Sequence, residues 1–370
     1  MERLVLAVTL SLALLAGWDG HASFAADIAA GKALAEQQCK ACHGMDGKGF
    51  APGIPDLAGQ RERYLLAALN EYKEGHRSHA ALTSMAEHMS KADEENVTAY
   101  YASLPPIASA AGTHAEIFSP YEHGKALAQA CTTCHGENGD STTRGTPSLS
   151  GQQPGYFVAA IQEYLTGVRE RAPMHALIRD LKGLDLESLA LYFASQTPAQ
   201  RPAPPIGNAA AGEPLTGLCG GCHGFHGVST DSATPSLASQ DPQYLVDAIK
   251  AYHANRKHAA MQRAVANVSD KDVENIAAFY AVQKLTPAVH GQTLIHDLVD
   301  KCDRCHSPGV DNPTLPIPHV DGQDEAYLAM AMRAYREDKR QSSVMHNMIL
   351  PYGNAVLEGV ASYYANQPPK

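Results

Sequence analysis

All eight cysteines of this 370-residue chain fall into one pattern. Its four copies are Cys39-Lys40-Ala41-Cys42-His43, Cys131-Thr132-Thr133-Cys134-His135, Cys219-Gly220-Gly221-Cys222-His223 and Cys302-Asp303-Arg304-Cys305-His306. Two thiols separated by two residues and followed at once by an imidazole form the pattern that attaches a c-type haem. The thiols add to the two vinyl groups, and the histidine becomes the proximal iron ligand. A zinc ribbon would instead pair two Cys-x-x-Cys knuckles about 15–20 residues apart. A thioredoxin-like dithiol does not require the histidine. The expected cofactors are therefore four covalently attached haem c groups, with His43, His135, His223 and His306 on iron.

The distal ligand is expected to be a downstream methionine. Met174, Met261 and Met345 each stand five residues after an arginine (Arg169, Arg256, Arg340). Each also stands 19 residues before the second member of a closing aromatic pair. Both rulers place Leu82 in the corresponding slot of the first copy, five residues after Arg77, and leucine cannot ligate iron. Met85 is the candidate there, and His79 or a five-coordinate iron are the alternatives. Met89 and His88 lie nearby. His175, His226, His258 and His346 read as polar loop or haem-edge residues.

These ligands need a scaffold, and the scaffold repeats. The first cysteines, at 39, 131, 219 and 302, are 92, 88 and 83 residues apart. In register with them recur a glycine before the motif (Gly31, Gly124, Gly212, Gly291) and a Pro-x-Leu-x-Gly-Gln stretch. That stretch runs Pro55 to Gln60 and Pro147 to Gln152, has Ser239 for glycine in Pro235 to Gln240, and is degenerate in Pro318 to Gln323. Tyrosines follow at Tyr64, Tyr156, Tyr244 and Tyr327, then at Tyr72, Tyr164, Tyr252 and Tyr335. Each copy closes on an aromatic pair: Tyr100-Tyr101, Tyr192-Phe193, Phe279-Tyr280 or Tyr363-Tyr364.

Apolar spacing predicts helices over Ala29–Gln38, Arg63–Lys73 and Glu94–Leu104, and over Asp270–Val282 after a Ser269 cap. No stretch alternates at period two. The fold class expected is all-α: four tandem domains at 26–108, 115–200, 207–286 and 288–370, each with three or four short helices around its haem. Proline-rich linkers, Arg201-Pro202-Ala203-Pro204-Pro205 the clearest, read as semi-rigid spacers.

Residues 1–25 read as a signal peptide. Arg3 precedes the apolar run Leu4–Leu15, and Ser23 and Ala25 suit cleavage. The expected location is periplasmic, with an uncleaved membrane anchor as the alternative. Formal charge is −10, from 29 basic and 39 acidic side chains. This argues against nucleic-acid binding, which needs a basic face. An acidic surface would steer the chain to a basic patch on a partner, or simply keep it soluble.

The Cys-x-x-Cys-His-Gly sequences, the Pro55–Leu65 stretch and the arginine-to-methionine spacing resemble class I cytochrome c domains, in particular the dihaem cytochrome c4 branch. The resemblance covers the chain after residue 25 as two dihaem units in tandem. It implies that a proline carbonyl (Pro55, Pro147, Pro235 and, in the degenerate copy, Pro318) accepts the other ring N–H of each proximal histidine. It implies electron transfer between periplasmic redox proteins, such as a terminal oxidase, a reductase or a quinol-oxidising complex. Association with a membrane complex is compatible with it, and no small-molecule substrate is expected. Histidine–methionine ligation leaves no open iron site, so the chain is expected to carry electrons and not to be an enzyme. The first alternative is a haem enzyme, of peroxidase or thiosulfate-oxidising type, open at haem 1. The second is a sensing or structural haem module.

Overall fold

The structure is a computed structural model and describes residues 26–107, 116–170, 172–310, 312 and 314–369. The expected signal peptide and residues 108–115 of the first linker lie outside the described residues. Among the described residues every regular element is helical; the one β-type pairing is an isolated antiparallel bridge between Arg77 and Arg340. No helix among them is long and apolar enough to cross a membrane.

Four similar helical domains follow one another. In domain 1, Asp27 caps Ile28–Leu34 by accepting from the Ala29 and Ala30 N–H groups. The chain then passes through a π-helical turn, Ala35–Cys39, into Lys40–His43. Gly31 stands eight residues before its cysteine, whereas Gly124 and Gly212 stand seven before theirs. The π turn takes up that extra residue. Glu62–Lys73, Ala80–Glu87 and Lys91–Ser103 complete the domain, the last opened by a Ser90–Asp93 capping box. Domain 4 shows the same plan in Leu294–His306, Glu325–Arg336, Ser343–Ile349 and Asn354–Ala365. The short third helix corresponds to what the spacing presented as loop. At seven or eight residues it has little intrinsic stability and forms because its neighbours hold it.

In the first three domains the N-terminal helix crosses the C-terminal one at a glycine. A Cβ on Gly31, Gly124 or Gly212 would run into the carbonyl of Asn96, Ser188 or Asn275. Domain 4 reverses the arrangement. Ile295 occupies the N-terminal position, and Gly359 on Asn354–Ala365 makes room for it. Gly291 is therefore not the fourth crossing glycine; it packs against Leu191 and Ser195 of domain 2. The closing aromatics are buried beneath these crossings, Tyr101 at 2%, Phe193 and Tyr280 at 1% and Tyr364 at 5% exposure.

The domains do not pair in chain order. Domain 2 pairs with domain 3, but domain 1 pairs with domain 4, so one dihaem unit is inserted within the other. Two reciprocal glutamine straps make each pairing. Gln60 Nε2 donates to the His319 carbonyl (2.9 Å) while its Oε1 accepts from the His319 N–H (2.8 Å). Gln323 does the same to Asp56, at 2.9 and 2.7 Å. Gln152 straps Ser236 (3.0 and 2.8 Å), and Gln240 straps Ser148 (2.9 and 2.7 Å). The expectation of two dihaem units in tandem is corrected accordingly. The units touch through domains 2 and 4: the Glu187 carboxylate accepts from the Ala355 N–H (2.7 Å) and the Phe118 N–H donates to Ser362 Oγ (3.0 Å). These contacts give the spatial order 1–4–2–3.

Candidate haem sites

Each Cys-x-x-Cys-His sequence ends with a helix that stops at its histidine; in domains 3 and 4 one helix holds the whole motif, and in domains 1 and 2 the first cysteine closes the turn just before it. In all four motifs the first cysteine is half-buried and the second exposed. Burial pushes the Cys39 and Cys302 thiols up to about 11 and raises those of Cys131 and Cys219.

Each proximal histidine directs Nδ1 at a proline carbonyl twelve residues on: His43 to Pro55 (3.0 Å), His135 to Pro147 (2.8 Å), His223 to Pro235 (2.8 Å) and His306 to Pro318 (3.1 Å). Pro318 keeps the geometry although its motif is degenerate. A carbonyl only accepts, so Nδ1 carries the proton and Nε2 keeps a free lone pair, as a metal ligand needs. Burial also holds the His43, His223 and His306 imidazoles below their usual range, favouring the neutral form. The residue after each proline is the one strapped by the partner domain's glutamine. Each histidine orienter is thus fastened across the domain interface. The glutamine recurrence was visible in sequence, but its role needed the paired structure.

Leu82, Met174, Met261 and Met345 are all the third residue of the short third helix. The three methionines are half-buried, and Met174 packs against the domain 2 core. Leu82 stands in the methionine slot, as the two rulers indicated. His79 caps its helix, Nδ1 accepting from the Leu82 N–H at 3.3 Å, just as His258 caps the helix of Met261 at 3.3 Å. A histidine at this position therefore accompanies a slot that does hold methionine. Met89 belongs to the core, at 5% exposure.

Domains 1 and 4 share one cavity of about 1060 Å³, lined by both cysteine pairs, His43, His306, Leu82, Met85 and Met345. Protein interiors seldom leave voids larger than a water molecule. A largely apolar space of this size, with thiols and Nε2-free imidazoles on its wall, suits covalently held macrocycles. Met85, one turn beyond Leu82, lines this cavity as well as packing against the domain 1 core; its counterpart Met348 packs against the domain 4 core and is not part of the cavity lining.

These features define a c-type haem protein built from four all-helical domains, with four covalently bound haem c groups. The cytochrome c family model matches residues 28–105 and 121–183. Cytochrome c4 of Pseudomonas aeruginosa is 34% identical over 193 residues, covering 50% of this chain and 95% of the relative. The thiosulfate dehydrogenase electron acceptor of Thiomonas intermedia (strain K12) is 32% identical over 208 residues, covering 52% and 91%. Reduced cytochrome c4 from Pseudomonas stutzeri aligns with 45% of this chain and 99% of its own, at 26% identity and a TM-score of 0.42. The chain belongs to the cytochrome c family, with relatives of the cytochrome c4 type, and its chemistry is electron transfer. Each of these relatives spans about half of it.

Proposed function

We propose that the chain is a periplasmic tetrahaem carrier passing single electrons between respiratory redox proteins, with His43, His135, His223 and His306 as proximal ligands. Met174, Met261, Met345 and, in domain 1, Met85 complete the coordination. The observation that carries this reading is the fourfold repetition of one frame: a proline-oriented imidazole with free Nε2, plus a methionine slot on the short third helix. Bound haem supplies a one-electron Fe(III)/Fe(II) couple. The chain's own residues hold each imidazole in one tautomer, close the distal side and exclude water. Side chains closing both faces leave nowhere for substrate to bind. The relatives named as electron acceptors of thiosulfate dehydrogenase support a partner that is itself a redox protein, an oxidase, reductase or dehydrogenase.

Reductive titration should take up four electrons per chain. In the ferric protein the near-infrared methionine charge-transfer band should fall by about a quarter in Met85→Ala, as in Met174→Ala, Met261→Ala or Met345→Ala. A band unchanged by Met85→Ala would refute that ligand. Leu82 favours one second reading, a haem enzyme open at domain 1. Rapid binding of about one equivalent of carbon monoxide by the fully reduced protein would support it, and no binding would remove it.

A further inference from the structure

The four haem-attachment faces differ in charge. Over the span from twelve residues before the first cysteine to eleven after it, domains 1, 2 and 4 carry six, four and six Asp, Glu, Lys or Arg side chains. In domain 3 that span is residues 207–230, and Glu213 is its one charged side chain. The other motifs hold Lys40-Ala41, Thr132-Thr133 or Asp303-Arg304 between their cysteines, whereas domain 3 has Gly220-Gly221. The residue before the first cysteine is Gln38, Ala130 or Lys301 elsewhere and Leu218 here. Three residues after the second cysteine stand Met45, Glu137 or Pro308 elsewhere and Phe225 here.

These differences leave apolar surface uncovered. Leu218 at 70% and Phe225 at 81% are the two most exposed large apolar side chains among the described residues. Both flank the exposed Cys222. Leu218 lies one turn before it on the helix Gly217–His223, and so on the same face. Phe225 lies against the bare backbone of Gly220, where an added Cβ would stand 3.6 Å from its ring. The haem edge that Cys222 would hold is therefore framed by uncharged groups. Domain 3 is also one end of the 1–4–2–3 order. Domain 1, the other end, exposes Phe50, whose N–H donates to the Cys42 carbonyl (3.1 Å), but Lys40, Asp46 and Lys48 are exposed in the same span.

On a chain of net charge −10, an uncharged patch selects its occupant by charge. A basic partner is drawn to acidic groups, which the other three faces supply and this one lacks. A stable dimer with a second copy needs about 800 Å² from each partner, far more than two side chains and the glycines between them offer. Small, short-lived contacts are usual between electron-transfer proteins. We propose that domain 3 is an apolar electron port. Its face of Leu218, Gly221, Cys222 and Phe225 docks a redox protein whose own cofactor edge is framed by uncharged apolar groups. One electron crosses there, the iron of haem 3 changing between Fe(II) and Fe(III) as the partner's cofactor makes the opposite change. The inference rests on the electron-carrier reading and names the port and partner class within it. If four electrons are still taken up while the docking test fails, the port alone is wrong.

Protein-film voltammetry of the holoprotein tests this. Methyl-terminated alkanethiol monolayers on gold take the place of the apolar partner face, and amine-terminated ones that of a basic face. On the methyl surface the exchange rate should hold within about twofold as ionic strength rises from about 0.01 to 1 M, because no charge pair is screened. The double variant Leu218→Ser with Phe225→Ser should slow exchange there about tenfold or more. Its four reduction potentials and haem content should be unaltered, and on the amine surface it should match the unaltered protein. Phe50→Ser should leave the methyl-surface rate unchanged. Overturning results are no slowing in the double variant, equal slowing by Phe50→Ser, equal slowing on both surfaces, or a strong salt dependence on the methyl surface. Sedimentation equilibrium decides the remaining occupant. A monomer supports the redox-protein port, and a dimer abolished by the double variant overturns it in favour of a second copy.

Discussion

The two dihaem units are built alike and connected differently. In the 2·3 unit the chain runs directly from one domain to the next, and its linker is part of the interface. Arg201 donates to the Ser239 carbonyl (2.8 Å) in domain 3 and to the Ser141 carbonyl (2.6 Å) and Ser148 Oγ (2.8 Å) in domain 2. The 1·4 unit has no such linker, and its straps join residues 259 and 267 positions apart. Yet both units carry reciprocal glutamine straps, a tyrosine pair across the interface (Tyr64 with Tyr327, Tyr156 with Tyr244) and arginines stacked on tyrosine, Arg256 over one ring and the others over two. Pairing is therefore written into the domain surface, in the glutamine and the residue after the proximal proline. Connectivity only decides which domain is close enough to answer.

Removing a haem should separate the units most strongly. Cys302→Ala with Cys305→Ala should lower haem content from four to three by pyridine haemochrome assay. Because the cavity is continuous, it should also speed amide hydrogen exchange in domain 1 while leaving domain 3 unchanged. Loss of protection in domain 2 ahead of domain 1 would contradict the pairing. The next effect concerns the straps. Gln323→Ala leaves the half-buried Asp56 N–H and carbonyl without their strap, at a cost of at most about 1–3 kcal/mol for each group. Denaturant unfolding should show domains 1 and 4 losing cooperativity, whereas Gln240→Ala should leave domains 2 and 3 together through their linker. Equal uncoupling in both variants would remove the connectivity distinction. The most local effect should come from Arg201→Ala. It removes three hydrogen bonds made by a charged group, typically about 1.5–3 kcal/mol each, and should loosen the 2·3 unit alone. Hydrogen exchange at Ser148 and Ser239 is the readout.

Much of this was legible in the sequence because haem attachment constrains residue types at fixed spacing. The four motifs and the slot holding Leu82 were local patterns, and each stands where its spacing put it. The proline acceptors, Pro318 among them, were reached through the family resemblance, and the structure places Pro318 twelve residues after His306, as in the other three copies. What escaped was non-local. Gly291 matched the repeat by eye, yet the crossing in domain 4 depends on Gly359, 68 residues away on the C-terminal helix. The helix Ala80–Glu87 was hidden because eight residues are too few to be stable alone, even with good helix formers among them, and its neighbours hold it. The nesting of the units was hidden because four similar surfaces admit more than one pairing, and spacing alone does not choose among them.

The nesting also has a consequence in time. Domains emerge from synthesis N-terminal first. Domain 1 completes its own helices early, but the surface carrying Gln60, Arg77 and Tyr64 stays bare until domain 4 exists, some 260 residues later. Domains 2 and 3 meanwhile can fold against each other in the order they appear. The inner unit is thus the template that matures first, and the outer unit is closed by the last domain made. A chain stalled before domain 4 would hold one finished pair and one orphan, its buried arginine and half of its cavity wall open to water.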